Sequence, residues 1–342
     1  MKNLKQALLA AALIAGAPLY AQKDAPEIKF DSAPNALQLP PGIYLGEVAG
    51  VATNSHGNIF VYTRTGHPTI SIGTARPFAH GGSRLFEFDP TGKYIREIGK
   101  DSYGFMFAGQ VRIDPADNIW VVDQMTEMVM KFNPQGRLLM LLGRKAENVS
   151  VPAREPKNDG AGRPQDLFSR PTDVAWDAAG DIFVADGLGN ARIAKFDKDG
   201  KFIKSWGKRG TANGEFSVIR SIAVDAQGNV YASDTGNKRV QVFDNDGNFK
   251  TAFSNVEGPA AMCITKGASP FLYVSNTNSP NDIDHNGEIY KMQLDGTVVG
   301  KFGKAGKLPK EFGTTAAIDC RNANTLYVGE VGNLRVQKLM LH

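Results

Sequence analysis

Six times the chain spells a small polar turn followed by an apolar–aromatic–small stretch. GNIFVYT begins at Gly57, DNIWVVD at Asp117, GDIFVAD at Gly180, GNVYASD at Gly228, PFLYVSN at Pro270 and NTLYVGE at Asn324. The aromatic position falls on Phe60, Trp120, Phe183, Tyr231, Tyr273 and Tyr327. An alternating segment precedes each copy, as in TDVAWD from Thr172 and RSIAVD from Arg220. Another follows most copies, as in ARIAKFD from Ala191, and leads into an Asp-Gly type turn such as FDKDGKF and a fourth alternating segment. Alternation of period two, Asp-Gly turns and the lack of any helical stripe predict four short strands per repeat in an all-β protein. A four-stranded unit of this size cannot bury both faces alone, but six arranged radially can. The expected fold is a six-bladed β-propeller over residues 42–342.

A ring of blades needs closing. The last copy runs out after its third strand, at RVQKLMLH, and the stretch GIYLGEV from Gly42 offers a spare strand ahead of blade one. Pairing the two would complete blade six and remove the exposed edge. Ahead of this lie residues 22–41, an N-terminal extension, and residues 1–21, which read as a signal peptide: Lys2 and Lys5, an apolar core from Ala7 to Ala17, then Leu19-Tyr20-Ala21. A secreted or periplasmic protein without membrane insertion is expected. The formal charge is +4. Loss of Lys2 and Lys5 leaves about +2, which argues against nucleic acid as a partner. Cys263 and Cys320 fall in expected inner strands and read as buried free thiols, although an exported chain could join them.

The long insertions, at 64–82, 144–170, 275–287 and 304–314, all connect second to third strands or blade to blade, so they share one face. The tight turns share the other. In a repeat protein such a loop-rich face is the binding face.

DIFVADGLGNARIAKFDKDGKFIKSWG and NVYASDTGNKRVQVFDNDGNF resemble the NHL family of β-propellers, including its Asp…Gly-Asn-x-Arg run. The resemblance covers about residues 42 to 342. Within the family the chain is most similar to the branch of the peptidyl-α-hydroxyglycine amidating lyases, which are zinc enzymes. That resemblance implies a Pro-His ahead of the inner strand of three blades, with the histidines on zinc. The matching positions here are Gly109, Arg220 and Ala316, none of which can ligate zinc. The family's next carboxylate matches Ala317 and its blade-three tyrosine matches Leu188; the blade-one arginine is retained as Arg64. No zinc cofactor is therefore expected.

Other residues could carry chemistry. Asp123, Asp186, Asp234 and Glu330 end second strands and would form an acidic ring, able in principle to do acid–base work. Three of the four are followed by Gly-Asn-x-Arg, supplying Arg192, Arg239 and Arg335, which points to a scaffold role. Lys100, Arg144, Lys208 and Lys304 recur after the Gly that ends a fourth strand, with Arg209 beside them. His67, His80 and His285 lie on loops without ligand spacing, and His56 and His342 lie elsewhere. Asp282, Asp284 and Asn286 in DIDHNGEI have calcium-loop spacing, but the twelfth position is Gln293. A structural calcium is the one metal this pattern allows. The reading is a scaffold that binds a small anionic ligand, a peptide or a protein through its loop-rich face. Arg64 and Arg220 are the first contacts, and Asp123, Asp186 and Asp234 come next. The alternative is a lyase or hydrolase. The ligand's identity and the oligomeric state stay open.

Overall fold

The computed structural model describes residues 25–33, 35–65, 70–72, 76–78, 82–100, 102–143, 167–276 and 284–342. Six four-stranded antiparallel sheets follow one another. Blade one is Glu47–Thr53, Ile59–Arg64, Ser83–Phe88 and Tyr94–Ile98, and blade two starts at Ala108–Ile113. The inner strands of blades three to six are Asp173–Trp176, Ile219–Val224, Pro259–Ile264 and Thr315–Asn322. The inner strands touch in ring order, the sixth against the first. Among the described residues the only helical piece is a 3-10 turn at Thr235–Asn237, and no helix is long and apolar enough to cross a membrane. The expectation of a six-bladed all-β propeller holds.

The hairpin turns explain one half of the repeat. Asp197 Oδ1 accepts the N–H of Asp199 at 3.0 Å and of Lys201 at 2.8 Å, and Asp244 does the same for Asp246 and Asn248. Asp114, Asp177 and Asp225 repeat the device at the turn between first and second strands. An Asx side chain that stands in for backbone makes each turn self-satisfied, and a following Gly, or Asp117 (φ 61°) in the Asp114 turn, supplies the positive φ.

The aromatic position explains the other half. There is no single core; six apolar clusters lie between successive blades. Each takes one repeat aromatic: Phe60 between blades one and two, Trp120 between two and three, Phe183 between three and four, Tyr231 between four and five, Tyr273 between five and six, Tyr327 between six and one. Loop residues Phe105, Phe168, Phe216 and Phe312 wedge into four of these clusters. Each lies against the Gly that ends the preceding fourth strand. A Cβ on Gly99, Gly143, Gly207 or Gly303 would sit 2.8, 2.3, 2.6 or 2.2 Å from the ring. The small residue is required by the aromatic that docks on it.

Two expectations need correction. Closure is by an N-terminal strand, but the strand is Phe30–Ala33, which pairs antiparallel with Arg335–Leu341. Residues 42–46 form no strand, and Glu47–Thr53 is the inner strand of blade one. The closing strand thus lies inside the stretch expected to be an extension. It wins because the flanking chain staples three blades: Ile28 bonds the backbone of Lys301 in blade five, and Gln38 bonds Gly92 in blade one. Phe30 is buried, with its ring 5.1 Å from Phe302 and 6.4 Å from Phe312. Secondly, Cys263 and Cys320 are joined in a disulfide, not free. Adjacent inner strands bring their Cα atoms to 5.9 Å, within bridging reach. The signal-peptide residues lie outside the described residues.

Because the ring is held by this one strand, Phe30→Ala should lower stability by about 3–5 kcal/mol, the usual range for a buried Phe. Urea unfolding of both proteins measures it. An unchanged midpoint would show that Phe30–Ala33 is not the closure.

Candidate functional site

The acidic ring is scaffold. Asp123, Asp186, Asp234 and Glu330 are all fully buried at the ends of second strands. Each accepts backbone N–H groups from the loop that enters its own blade: Met106 and Phe107 on Asp123 at 2.9 and 2.7 Å, Ser169 on Asp186 at 2.8 Å, Ser217 on Asp234 at 2.9 Å, Gly313 on Glu330 at 2.9 Å. The Gly-Asn-x-Arg run then closes on the same carboxylate. Arg192, Arg239 and Arg335 pair with Asp186, Asp234 and Glu330 at 2.9, 2.9 and 2.8 Å, and Asn190, Asn237 and Asn333 add a bond each. Asp123 lacks the arginine and takes the Tyr62 hydroxyl at 2.9 Å instead. Burial pushes the Asp123 and Asp186 carboxyls above their ordinary value, while these hydrogen bonds oppose it. Asp123, Asp186 and Asp234, expected as further ligand contacts, are fully buried here with their acceptors engaged by their own blades.

Most of the basic rim is scaffold too. Lys208 and Lys304 pair with Glu215 and Glu311 at 3.2 Å. Arg209 donates to the carbonyls of Ser217 and Leu188 at 2.9 and 3.1 Å. Arg144, His67, His80 and Asp282 lie outside the described residues. Asp284 is exposed, and Asn286, with φ 62°, turns the chain into the strand Glu288–Met292. His342 bonds Asp31 at 2.9 Å, and His56 lies in a tight turn on the opposite face.

What remains is the channel mouth. Gly109, Arg220 and Ala316 are each the second residue of an inner strand, in alternate blades. Each falls in a register shift against the second strand. A bulge at that point re-aims one side chain per strand. The equivalent residues of the other blades are Ala49, Thr172 and Ala260, so Arg220 is the only charged member of this ring of small residues. It is exposed and has no hydrogen bond or ion pair among the described residues. It does not pair with Asp186 or Asp234, whose arginine partners are in place. Desolvation, and then the like charge of Arg64, lower its hold on its proton. Arg64 is thus near enough for its charge to be felt at Arg220.

Arg64 is held in position. Its Nη1 meets Glu47 at 3.0 Å, its Nε donates to the Ala108 carbonyl at 2.9 Å, and its carbon Cζ lies 3.8 Å from the centre of the Phe107 ring. That ring and that carbonyl fix the plane of the fork. Gln124 adds a carboxamide: a Cβ on Gly109 would lie 3.1 Å from Gln124 Cγ and 3.5 Å from its Nε2. The side chain of Gln124 fills the space a larger residue at 109 would need.

Deeper in, the channel is crossed. The Arg112 guanidinium forms a two-point pair with Asp173, at 2.9 and 2.6 Å. It also reaches Ser221 Oγ and the Met262 carbonyl at 3.2 Å, and the Ile318 carbonyl at 3.4 Å. One side chain of blade two thus touches blades three, four, five and six. Burial works against its charge, but the carboxylates of Asp173 and Asp319 carry its affinity for the proton above the ordinary value. Beyond it Asp319 accepts from Thr53 of blade one, and burial raises its carboxyl. These groups were not singled out from the sequence. Their signal is there: Arg112 and Asp319 occupy a strand position that is Ala52, Ala175, Ala223 or Cys263 in the other blades.

The residues do not fit the zinc that the resemblance implies. Gly109, Arg220 and Ala316 provide no donor atom, Arg220 places a cation there, and no group of three His, Cys, Asp or Glu able to hold a metal occurs among the described residues.

A family model described as a 6-bladed beta-propeller matches residues 165–278. Mouse peptidyl-glycine alpha-amidating monooxygenase is 31% identical over 225 residues, 60% of this chain and 22% of that protein. The chain thus spans about a fifth of that relative. Drosophila melanogaster peptidyl-alpha-hydroxyglycine alpha-amidating lyase 1 is 28% identical over 330 residues, 87% of this chain and 58% of that one. Mouse NHL repeat-containing protein 3 is 31% identical over 171 residues, 47% of this chain and 46% of its own. The solved streptogramin B lyase superposes with a TM-score of 0.56 at 13% identity, covering 92% of this chain and 98% of the other, a likeness of fold alone.

Because its folded pKa lies above the ordinary 3.8, the Asp319 carboxyl contributes stability that is complete below that value and lost as pH rises through its folded value. Asp319→Asn keeps an acceptor for Thr53 and removes this dependence. The variant's stability relative to wild type should climb from acid to neutral pH in urea unfolding. A difference independent of pH would contradict a burial cost at this carboxyl.

Proposed function

We propose that this six-bladed β-propeller, a relative of the amidating lyases and of NHL-repeat proteins, binds a small anionic group at its channel mouth. The group is a carboxylate, such as the end of a peptide, or a phosphate. The observation that carries this is Arg220, a cation without a partner among the described residues in a ring of small residues, within electrostatic reach of a second guanidinium that is rigidly held. Like charges brought near each other on a rim where Lys208, Lys304 and Arg209 are already partnered leave a favourable place for an anion. Arg64, Arg220 and the Gln124 amide supply the donors, and the Arg112–Asp173 pair gives the cup a floor. Its location is read as exported; a disulfide between Cys263 and Cys320 suits an oxidising compartment.

Arg220→Ala should leave thermal stability unchanged or raise it, because no partner is lost and a repulsion is relieved. Its affinity for an anion should fall by about 1.5–3 kcal/mol, the range for a charged hydrogen bond. Calorimetric titration with phosphate, citrate and N-acetylglycine reads this. A wild type that binds none of the three, or a variant that binds equally well, would reject the site.

The alignment with the fly lyase over 87% of this chain favours a second reading, an amidating-lyase-like enzyme. It requires metal at positions that carry no donor, so purified protein should hold no stoichiometric zinc. Elemental analysis of protein prepared without chelators decides, and one zinc per chain would restore the enzyme reading.

A further inference from the structure

We propose a second binding site, off the axis, for an acidic saccharide. A cavity of about 550 Å³ opens on the rim of blade one. It is lined by Tyr44, Tyr103, Lys100, Ser102, Arg84 and Glu97 among others, and by neither Arg64 nor Arg220.

Three observations converge on it. First, Tyr44 and Tyr103 are 79% and 73% exposed, the two most exposed large apolar side chains described, and both border this one cavity. Two exposed aromatic rings on one cavity offer apolar faces, and the C–H face of a pyranose is a common fit for such a face. Secondly, the floor is polar and pre-ordered. Arg84 grips Glu97 with two bonds at 2.9 and 2.6 Å and lies over the Phe86 ring at 4.7 Å. A rigid ion pair beside hydroxyls of Thr65 and Ser102 offers fixed partners for the vicinal hydroxyls of a sugar; an apolar peptide side chain would strand them.

Thirdly, the repeat itself shows a counter-ion withdrawn. Lys208 and Lys304 follow the Gly that ends a fourth strand, and each pairs with the Glu just before the wedging Phe, Glu215 before Phe216 and Glu311 before Phe312. Lys100 follows Gly99 in the same way, but the residue before Phe105 is Gly104. Lys100 is exposed and has no ion-pair partner among the described residues. An ammonium without an ion-pair partner among the described residues, at the edge of a cavity walled by two tyrosines, selects a sugar that carries a carboxylate over a neutral one.

The experiment is calorimetric titration of the full protein with oligogalacturonate, oligomannuronate and hyaluronan tetrasaccharides, each beside its carboxyl-reduced neutral form. Wild type should bind at least one acidic member more tightly than its neutral form. Lys100→Gln should weaken that binding roughly ten-fold or more, as loss of a charged contact does. Tyr103→Ala should weaken it at least about five-fold through lost ring contact, and Arg220→Ala should leave it unchanged. All three side chains are exposed, so folding is not at stake. No binding of any acidic member, binding indifferent to Lys100→Gln and Tyr103→Ala, or binding abolished by Arg220→Ala would each overturn the proposal. The last result would assign the saccharide to the channel mouth instead.

Discussion

Everything in this molecule depends on one contact, the wedge of an aromatic ring between neighbouring blades. A blade is a four-stranded sheet with two apolar faces, and neither can be left in water. Phe60, Trp120, Phe183, Tyr231, Tyr273 and Tyr327 each fill one of the six gaps. The arrangement is only as good as its last gap. An open ring would expose the faces of blades one and six together with a strand edge. Closure by Phe30–Ala33, helped by backbone bonds to blades five and one, therefore secures all six wedges at once. The Cys263–Cys320 bridge adds a covalent tie across the gap between blades five and six. By closing a loop of 57 residues it limits the unfolded chain by about 4 kcal/mol in the chain-entropy view.

Much of this was legible. Aromatic spacing and the Asp-Gly type turns specify strand number and blade number, because those features recur from blade to blade. What occurs once was harder. The closing strand FDSA has only Phe30 buried, while GIYLGEV looks more apolar and lies closer to blade one. Local pattern favoured the wrong segment, since the bonds that decide the matter reach blades five and one, far away in sequence. The cysteines were misread for a similar reason: residues 57 apart become neighbours only once two inner strands lie side by side.

The candidate site divides in the same way. The Gly-Asn-x-Arg run is a repeated element, and its carboxylates proved to be loop latches. Asp186 and Asp234 hold the chain that enters their own blade, which keeps the loop-rich face in place without offering any charge to solvent. Arg64 was legible through its resemblance, and Arg220 through its oddity. Phe107 and Gln124 were not, since they matter only through the side chains they lie against.

The mouth and the floor belong to one design problem. A propeller channel is lined by inner strands whose side chains are too few to fill it, so its axis is the place where charge can be buried only in pairs. Arg112 solves this in the middle by reaching four blades at once and neutralising Asp173. At the bulge ring above it, five of the six positions are Ala, Gly or Thr, and the sixth is an arginine with no such partner. Had Arg220 been a structural cation, the protein had a ready solution in its own repeat: an acidic residue at the end of a second strand. It uses that solution at Arg192, Arg239 and Arg335 and not at Arg220. A fold that pairs its arginines so consistently leaves Arg220 and Lys100 without an ion-pair partner among the described residues, and at each proposed site a ligand's negative charge would supply the missing half of the pair.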